Sequence, residues 1–224
     1  MPSTVYLVTG ANRGIGLGIT SQLAARPDAI VFAGVRDLSR AAALDALVSA
    51  YPGRVHVLKI ISADRKNNDE AAQEMKKIAG RLDVVNTNGP LVLFQATYEL
   101  LRVSKSPKFI AVTSALACIA VGPELPMNQM AYGMSKAALN WVTRKLHHDN
   151  PDMTIFPINP GGVETDASRE MLVHEPALAQ LWEQYPLIQV DESARGILEQ
   201  VDVATRETHG GQFVDYTGLG KWAW

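Results

Sequence analysis

A glycine-rich turn, Thr9-Gly10-Ala11-Asn12-Arg13-Gly14-Ile15-Gly16, joins an apolar run to the start of a helical pattern. In such a turn one glycine permits the tight bend, a second lets the backbone approach a pyrophosphate, and a third lets the helix pack closely on the strand. The N-terminus of the helix then offers unpaired N–H groups and the positive end of its dipole to the phosphates. Glycines also mark ordinary turns, but the order of strand, turn and helix favours a dinucleotide-binding turn. The expected cofactor contacts are Gly10, Asn12, Arg13, Gly14, Ile15 and Gly16.

Short β-branched runs alternate with longer helical patterns along the rest of the chain, which is typical of β-α-β units around a parallel sheet. Because helices cover both faces of such a sheet, its strands should be apolar without strict alternation, as in Ile30-Val31-Phe32-Ala33. We therefore predict a Rossmann-type, doubly wound α/β fold with about seven parallel strands in a single domain, residues 1–224. The predicted strands are Val5–Thr9, Ala29–Val35, Val55–Ile60, Leu82–Val85, Phe109–Thr113, Thr154–Ile158 and Gln212–Val214. The predicted helices lie near Ile15–Ala25, Ser39–Ala50, Lys66–Gly80, Leu91–Ser104, Met130–His148 and Glu192–Thr205.

The composition is that of an ordinary globular chain. Its 224 residues suit one α/β domain, and 47% hydrophobic with 20% charged residues excludes a disordered or low-complexity protein. The 21 basic and 23 acidic side chains leave a net charge of −2, so no overall positive field would attract nucleic acid or an anionic membrane. We expect neither as a partner.

Cysteine content and the N-terminus bear on the compartment. Cys118 is the only cysteine, so the chain can form neither an internal disulfide nor a cysteine-based zinc site, and we expect no metal. The first positive side chain is Arg13, and no export signal is visible. The longest uncharged stretch, Phe109–Pro123, has 15 residues, whereas a membrane-spanning helix needs about 20. A cytoplasmic protein is the expectation.

Arg36 and Asp37 directly follow the second predicted strand. At the end of that strand a basic side chain pairs with the 2′-phosphate of NADP, whereas an acidic one binds the ribose hydroxyls of NAD. Arg36 and Arg13 together favour NADP(H). The alternative is that Arg36 is a solvated surface arginine and that Asp37 binds the ribose.

Tyr132 and Lys136 stand four residues apart in a predicted helix, so their side chains share one face. An unperturbed tyrosine has a pKa of ~10, and a nearby ammonium favours the phenolate, which moves the pKa toward the range useful for proton transfer. Such a pair also arises by chance, so its context decides its meaning.

Ser114 directly follows the fifth predicted strand, Phe109–Thr113. Its hydroxyl should therefore lie at the carboxyl edge of the sheet, where doubly wound folds bind their ligands. A serine at such a place is otherwise most often a helix cap or a turn residue, and from the residue alone both interpretations stay open.

The glycine turn, Ser114, the Tyr132 and Lys136 pair and Pro160-Gly161-Gly162-Val163-Glu164-Thr165 stand in the order found in the short-chain dehydrogenase/reductase family. The resemblance spans nearly the whole chain. It is greatest to ketoreductases and carbonyl reductases of fungal secondary metabolism, of the norsolorinic acid ketoreductase type. Two sequences carry it: Tyr-Gly-x-Ser-Lys-Ala-Ala-Leu-Asn-Trp and His-Gly-Gly-x-Phe-Val-Asp-Tyr-Thr-Gly.

This resemblance implies NADPH-dependent reduction of a ketone or aldehyde, with hydride passing to the carbonyl carbon and Tyr132 giving the proton to the oxygen. Ser114 would hydrogen-bond the carbonyl, and Lys136 would hold the ribose hydroxyls while lowering the pKa of Tyr132. Asn86 matches the asparagine that completes a catalytic tetrad in many members. The loop that orients the nicotinamide is matched by Pro160, Gly161, Val163 and Thr165. Members are often oligomers, so a homodimer or homotetramer is implied.

One piece of the family pattern is absent. Members usually end their fourth strand with Asn-Asn-Ala-Gly and then have a long segment before the asparagine of the next helix, whereas here Leu82-Asp83-Val84-Val85 runs directly into Asn86-Thr87. Either the polypeptide lacks that segment, or a loop is missing from the sequence after Val85; a short loop is ordinary, so stereochemistry allows the first. Absence of the segment favours a second function, that of a catalytically impaired protein that binds or senses NADP(H).

The substrate is expected to be a hydrophobic or aromatic carbonyl compound, because apolar residues cluster near the expected pocket. They are Leu116, Ile119, Met127, Met130, Met171 and Trp182. The segment 166–189 mixes apolar and charged residues with two prolines. It is interpreted either as a substrate lid or as a pair of short surface helices that cover the core.

Overall fold

A seven-stranded parallel sheet forms the centre of the protein. The computed structural model describes residues 3–87, 89–125, 128–175 and 178–224. The strands are β1 (Thr4–Thr9), β2 (Ala29–Val35), β3 (Val55–Lys59), β4 (Val84–Thr87), β5 (Lys108–Val112), β6 (Thr154–Asn159) and β7 (Val214–Asp215). They pair in the order β3-β2-β1-β4-β5-β6-β7. This arrangement confirms the predicted Rossmann-type α/β fold.

Helices cover the sheet on both faces. They are α1 (Gly14–Ala24), α2 (Ala42–Ala50), α3 (Arg65–Ala79), α4 (Pro90–Leu101), α5 (Met130–Asp149), α6 (Asp166–His174), α7 (Leu178–Gln184) and α8 (Val190–Val203). Three short 3-10 turns lie at Leu38–Arg40, Ala115–Ala117 and Gly122–Glu124. Within the described ranges, no helix combines the length and the apolar character needed to cross a membrane.

The core consists of two apolar layers, one on each face of the sheet. On one face α1, α2 and α8 bury Leu23, Leu44 and Ile197 against the sheet. On the other face α3, α4 and α5 bury Met75, Phe94 and Leu146. Because both faces of the sheet are covered, a central strand such as β2 is apolar along its whole length, as its sequence predicted.

Local signals explain where the elements begin and end. The Asp64 carboxylate accepts a hydrogen bond from the N–H of Asn67 at 3.0 Å and so caps the first turn of α3. Gly80 ends the same helix in a left-handed conformation, with φ of 73°. The other helices and strands begin and end within about three residues of the predicted positions. A 3-10 turn takes the place of the first residues predicted for α2.

Strand β4 is the place where the sequence prediction was shifted. The structure begins the strand at Val84 rather than at Leu82, and the strand continues without interruption from Val85 into Asn86 and Thr87. Val85 pairs with Leu7 of β1, and Asn86 pairs with Val8 of β1 and Ile110 of β5. Strand β4 therefore forms in this sequence without the missing piece of the family pattern, and only two residues separate it from α4.

Asn86 is the least well accommodated residue of this strand. Its amide nitrogen and oxygen are both buried, and neither has a hydrogen-bond partner among the described residues. A buried polar group without a partner costs about 1–3 kcal/mol. Asn159 of β6 is a matched contrast, because its amide donates to Asp215 at 2.8 Å and accepts from the N–H of Ala115 at 2.9 Å.

We predict that Asn86→Val raises the free energy of unfolding by about 1–2 kcal/mol, because valine suits a buried strand and leaves no polar atom unpaired. Urea denaturation followed by circular dichroism measures this change. The control Asn159→Val should lower the free energy of unfolding, since it removes two satisfied hydrogen bonds. A loss of stability in Asn86→Val would mean that the amide is bound by a group that the fold as described does not show.

Candidate active site

A cleft of about 740 Å³ opens at the carboxyl ends of β1 and β4. The order of the strands reverses between these two strands, and ligands of open α/β sheets bind at such a switch point. The cleft is lined by the glycine turn, by the residues after β2 and β3, by the β4 to α4 connection and by the start of α6. These residues include Thr9, Gly10, Asn12, Arg13, Gly14, Ile15, Gly16, Arg36, Asp37, Arg40, Ser62, Asn68, Thr87, Gly89, Thr165 and Glu170.

The glycine turn forms a cradle at the base of this cleft. Gly10 and Gly14 have φ of 66° and 52°, in the left-handed region that favours glycine. A Cβ on Gly16 would lie 2.2 Å from the carbonyl oxygen of Gly10, so no other residue fits there without displacing backbone. Arg13 precedes α1 and makes no side-chain hydrogen bond to it. The first N–H groups of α1 therefore face the cleft uncapped, which suits a diphosphate.

Three arginines surround the end of the cleft beside β2. Arg13 and Arg36 were expected there, and the structure adds Arg40. The Asn12 side chain donates to the carbonyl oxygen of Arg40 at 3.1 Å and ties the glycine turn to the 3-10 turn. Sequence reasoning missed Arg40, and the only local signal for its position is the capping Asp37.

The Asp37 carboxylate is occupied within its own turn. Its Oδ1 accepts from the N–H of Ser39 at 3.0 Å and from the Ser39 hydroxyl at 2.8 Å. The hydrogen bond from the Ser39 side chain is the main cause that holds the pKa of Asp37 below its ordinary value. This arrangement favours the interpretation in which Arg36, rather than Asp37, faces a ribose at this position.

The Pro160–Thr165 loop reaches the cleft at Thr165, whereas Pro160, Gly161 and Val163 are not among the residues that line it. Thr165 caps α6 by accepting from the N–H of Ser168 at 3.2 Å, and its Cγ2 lies 3.4 Å from the position of a Cβ on Gly14. Gly161 has φ of 83°, and a Cβ there would lie 2.8 Å from the Tyr216 ring. Val163 is buried and forms a bridge with Ile188. Thr165 lines the cleft, whereas Gly161 and Val163 hold the loop in place.

Ser114, Tyr132 and Lys136 come together at the carboxyl end of β5. Ser114 follows β5, and Tyr132 and Lys136 lie in the first two turns of α5. The Ser114 side chain lies close enough to Tyr132 to lower the pKa of its phenol. The Lys136 Nζ lies 5.7 Å from the centroid of the Tyr132 ring and donates to the carbonyl oxygen of Val112 at 3.1 Å. Ser114 also caps the 3-10 turn by accepting from the N–H of Leu116 at 3.3 Å, so the two interpretations of this serine coexist.

The pKa of Tyr132 differs from the expectation. Loss of solvent around the side chain raises the pKa of Tyr132, and hydrogen bonding with Ser114 opposes this only in part. Burial also lowers the pKa of Lys136. The pKa of Tyr132 is therefore not lowered as expected, because desolvation outweighs the opposing effect of Ser114 and the Lys136 ammonium is not among the causes of the shift.

Asn86 does not join these three residues. Its side chain borders a cavity of about 50 Å³ on the α1 face of the sheet, together with Ile15, Gly16 and Ile19. The α5 helix, which carries Tyr132, packs on the opposite face through Leu146. The tetrad position expected for Asn86 is therefore not formed, because the short connection places this residue in β4 instead of a helix.

The expected substrate wall is only partly enclosed. Ile119 and Met130 are 71% and 75% exposed, and Met127 lies outside the described residues. The segment 166–189 contains α6 and α7, which both interpretations of this segment allow. The Glu175 side chain at the end of α6 accepts from the Asn128 N–H and from the Gln129 side chain. This contact, which sequence reasoning missed, joins the segment to the residues just before Tyr132.

Comparison with known proteins agrees with the fold. Residues 4–100 match the family model described as short chain dehydrogenase. The chain is 32% identical to the norsolorinic acid ketoreductase of Aspergillus parasiticus, covering 99% of this chain and 91% of that protein. It is 33% identical to the short chain dehydrogenase gsfK of Penicillium aethiopicum over 100% of both chains. The chain belongs to the short-chain dehydrogenase family, whose members are oxidoreductases that use nicotinamide cofactors.

A solved structure shares the fold. The NADPH-bound carbonyl reductase from chicken fatty liver superposes with a TM-score of 0.83 at 24% identity, over 99% of this chain and 100% of that one. The alignment with the Penicillium protein spans 256 positions, whereas this chain has 224 residues, so about 32 positions (256 − 224) have no counterpart here. A shortfall of this size agrees with the piece of the family pattern that is absent after Val85.

We predict that Tyr132 remains protonated at a pH of about 10 in the protein without cofactor, because its pKa is raised. The Ser114→Ala change should raise the pKa of Tyr132 further, since it removes a hydrogen bond that lowers it. The difference in tyrosinate absorbance between the wild type and Tyr132→Phe measures this pKa, while circular dichroism confirms that both stay folded. Full ionisation of Tyr132 below this pH would contradict the account.

Proposed function

We propose that the protein catalyses the NADPH-dependent reduction of a ketone or aldehyde. The observation that carries the proposal is the meeting of Ser114, Tyr132 and Lys136 at the carboxyl end of β5, two strands from the glycine cradle at β1. The names of the relatives support the reaction class, because several are ketoreductases and one structural neighbour is a carbonyl reductase.

The residues of the chain have separate roles in this proposal. The Ser114 hydroxyl donates to the carbonyl oxygen of the substrate, and Tyr132 delivers its proton to the same oxygen as negative charge develops there. The raised pKa of Tyr132 keeps the phenol protonated, as a proton donor must be. Lys136 lies beside the ring, where its remaining N–H donors can hold ribose hydroxyls.

The cleft fits a phosphorylated nicotinamide dinucleotide. The glycine cradle and the uncapped start of α1 would hold the diphosphate, and the three arginines would hold the 2′-phosphate. Thr165 closes over the cradle from the other side. When bound, NADPH supplies the hydride that reduces the carbonyl carbon.

The substrate in this proposal is a hydrophobic or aromatic carbonyl compound. Exposed apolar side chains, Ile119 and Met130, lie on the segments that carry Ser114 and Tyr132. The α6 and α7 segment would cover the substrate as a lid, and the Glu175 contacts would latch it to the start of α5. Closing such a segment would remove water from the reacting carbonyl.

Tyr132→Phe should lower kcat for carbonyl reduction by about 10²-fold or more, because it removes the proton donor without altering the ring. Loss of NADPH absorbance with a panel of quinones, aldehydes and aryl ketones measures the rate. The control Tyr51→Phe changes a tyrosine that follows α2 and does not line the cleft, so it should keep wild-type kcat. An unchanged rate in Tyr132→Phe, with a rate measurable in the wild type, would remove Tyr132 from the mechanism.

The change Arg36→Ala, alone or combined with Arg40→Ala, should raise the KM for NADPH about tenfold per arginine and leave the KM for NADH nearly unchanged, because only NADPH carries the 2′-phosphate. Steady-state kinetics with both cofactors measure the ratio. Arg102→Ala is the control, since Arg102 follows α4 and does not line the cleft. Equal losses with both cofactors would contradict the NADP assignment.

The second candidate function is binding or sensing of NADP(H) without redox chemistry. Two observations favour it. The chain lacks about 32 positions of its alignment with the Penicillium protein, and Asn86 is buried in β4 without a hydrogen-bond partner among the described residues. Isothermal titration with NADPH, combined with the assay of NADPH consumption on the carbonyl panel, separates the two. Cofactor binding with no consumption by any carbonyl, and no effect of Tyr132→Phe, would support the second candidate.

A further inference from the structure

A buried carboxylate lies at the end of β7. Asp215 is 0% exposed, and both of its oxygens accept hydrogen bonds. Oδ2 accepts from the Asn159 amide at 2.8 Å and from the Trp222 indole N–H at 2.6 Å. Oδ1 accepts from the Thr217 hydroxyl at 2.7 Å and from the Lys221 Nζ at 3.2 Å. Burial alone would raise the pKa of Asp215, but these hydrogen bonds outweigh it and hold the pKa below its ordinary value.

The carboxylate determines which way the Asn159 amide points. Asn159 pairs with Asp215 across β6 and β7, and its NH₂ group is directed at Oδ2. Its oxygen then accepts from the backbone N–H of Ala115 at 2.9 Å. A flipped amide would place its oxygen against the negative carboxylate and its NH₂ group against an N–H donor. The buried charge therefore holds the amide in the one orientation that binds Ala115.

Ala115 directly follows Ser114 and begins the 3-10 turn Ala115–Ala117. Its N–H is held by Asn159, while the side chain of Ser114 accepts from Leu116. The backbone directly after Ser114 is thus held by the Asn159 side chain of β6 as well as by the turn. A shift of this backbone would move the Ser114 hydroxyl relative to Tyr132.

The C-terminal segment supplies the rest of the support. Trp222 and Trp224 both lie on Phe213, with ring centroids 6.3 and 6.0 Å apart, in one apolar cluster with Ala117 and Cys118. Arg144 of α5 stacks on Trp224 at 4.5 Å. Only Trp222 of the two indoles donates to Asp215.

We propose that Trp222, Asp215 and Asn159 form a positioning network that holds Ser114 in place opposite Tyr132. The C-terminal residues 215–224 would then be part of the support of the active site, although none of them touches the reacting atoms. The effect that we expect on kcat rests on the proposed function. The effect that we expect on the Ala115 backbone rests on the hydrogen bonds alone. A lysine lies at each end of this network: Lys221 contacts Asp215, and Lys136 lies beside the Tyr132 ring.

The test compares Trp222→Phe with the matched control Trp224→Phe. Both keep an aromatic ring on Phe213, and only the first removes a donor to Asp215. We expect Trp222→Phe to speed hydrogen exchange at the Ala115 amide by about tenfold and to lower kcat by about tenfold or more, because a misplacement of ~1 Å can cost ~100-fold. The KM for NADPH should stay within about twofold of the wild type. Trp224→Phe should change neither exchange at Ala115 nor kcat.

A double-mutant cycle tests whether the effect passes through Ser114. On a Ser114→Ala background, Trp222→Phe should cost no further activity, since the hydroxyl that it positions is already absent. Asp215→Asn is the second variant, because it removes the charge that orients Asn159 while nearly keeping the shape. Unchanged exchange at Ala115 in both variants, or losses of kcat that add fully to that of Ser114→Ala, would overturn the proposal. If the wild type reduces no carbonyl compound, the proposed function fails, and exchange at Ala115 still decides whether the network holds this turn.

Discussion

The pairing of β4 between β1 and β5 is the constraint on which the rest of the structure depends. Without a strand in this position the sheet would have no switch point and therefore no cleft. In this chain Asn86 and Thr87 complete the strand, where Asn86 pairs with Val8 and Thr87 pairs with Ala111. The cost is a buried amide without a partner. The gain is that the glycine cradle at β1 and the group of Ser114, Tyr132 and Lys136 at β5 remain two strands apart.

The site combines two electrostatic environments. At the cradle, glycine backbone, an uncapped helix and arginines create an exposed positive region that suits phosphates. Near Tyr132, loss of solvent raises the pKa of the phenol and lowers that of Lys136, so both groups tend toward their neutral forms. A neutral phenol is the form that can give a proton to a carbonyl oxygen. Ser114 links this group to β6 and β7 through the N–H of Ala115.

Local patterns made much of this predictable. The glycine turn, the apolar strands and the spacing of Tyr132 and Lys136 each lie within a few residues of sequence, so the fold and the central part of the site follow from them. The face of the sheet on which the Asn86 side chain lies could not be predicted in this way, because it depends on how a shortened chain completes a central strand. The direction of the Tyr132 pKa depends on burial, which spacing does not reveal. The Asn159 and Asp215 network joins residues 56 positions apart, with no local signal.

A crystal structure of the protein with NADP⁺ would show whether the cleft and the Tyr132 group act on one dinucleotide. We expect the diphosphate on the cradle between Gly10 and Gly16, the 2′-phosphate beside Arg36, and the oxygens of Ser114 and Tyr132 both facing the nicotinamide. A dinucleotide bound elsewhere, or a Tyr132 hydroxyl directed away from the nicotinamide, would contradict this expectation.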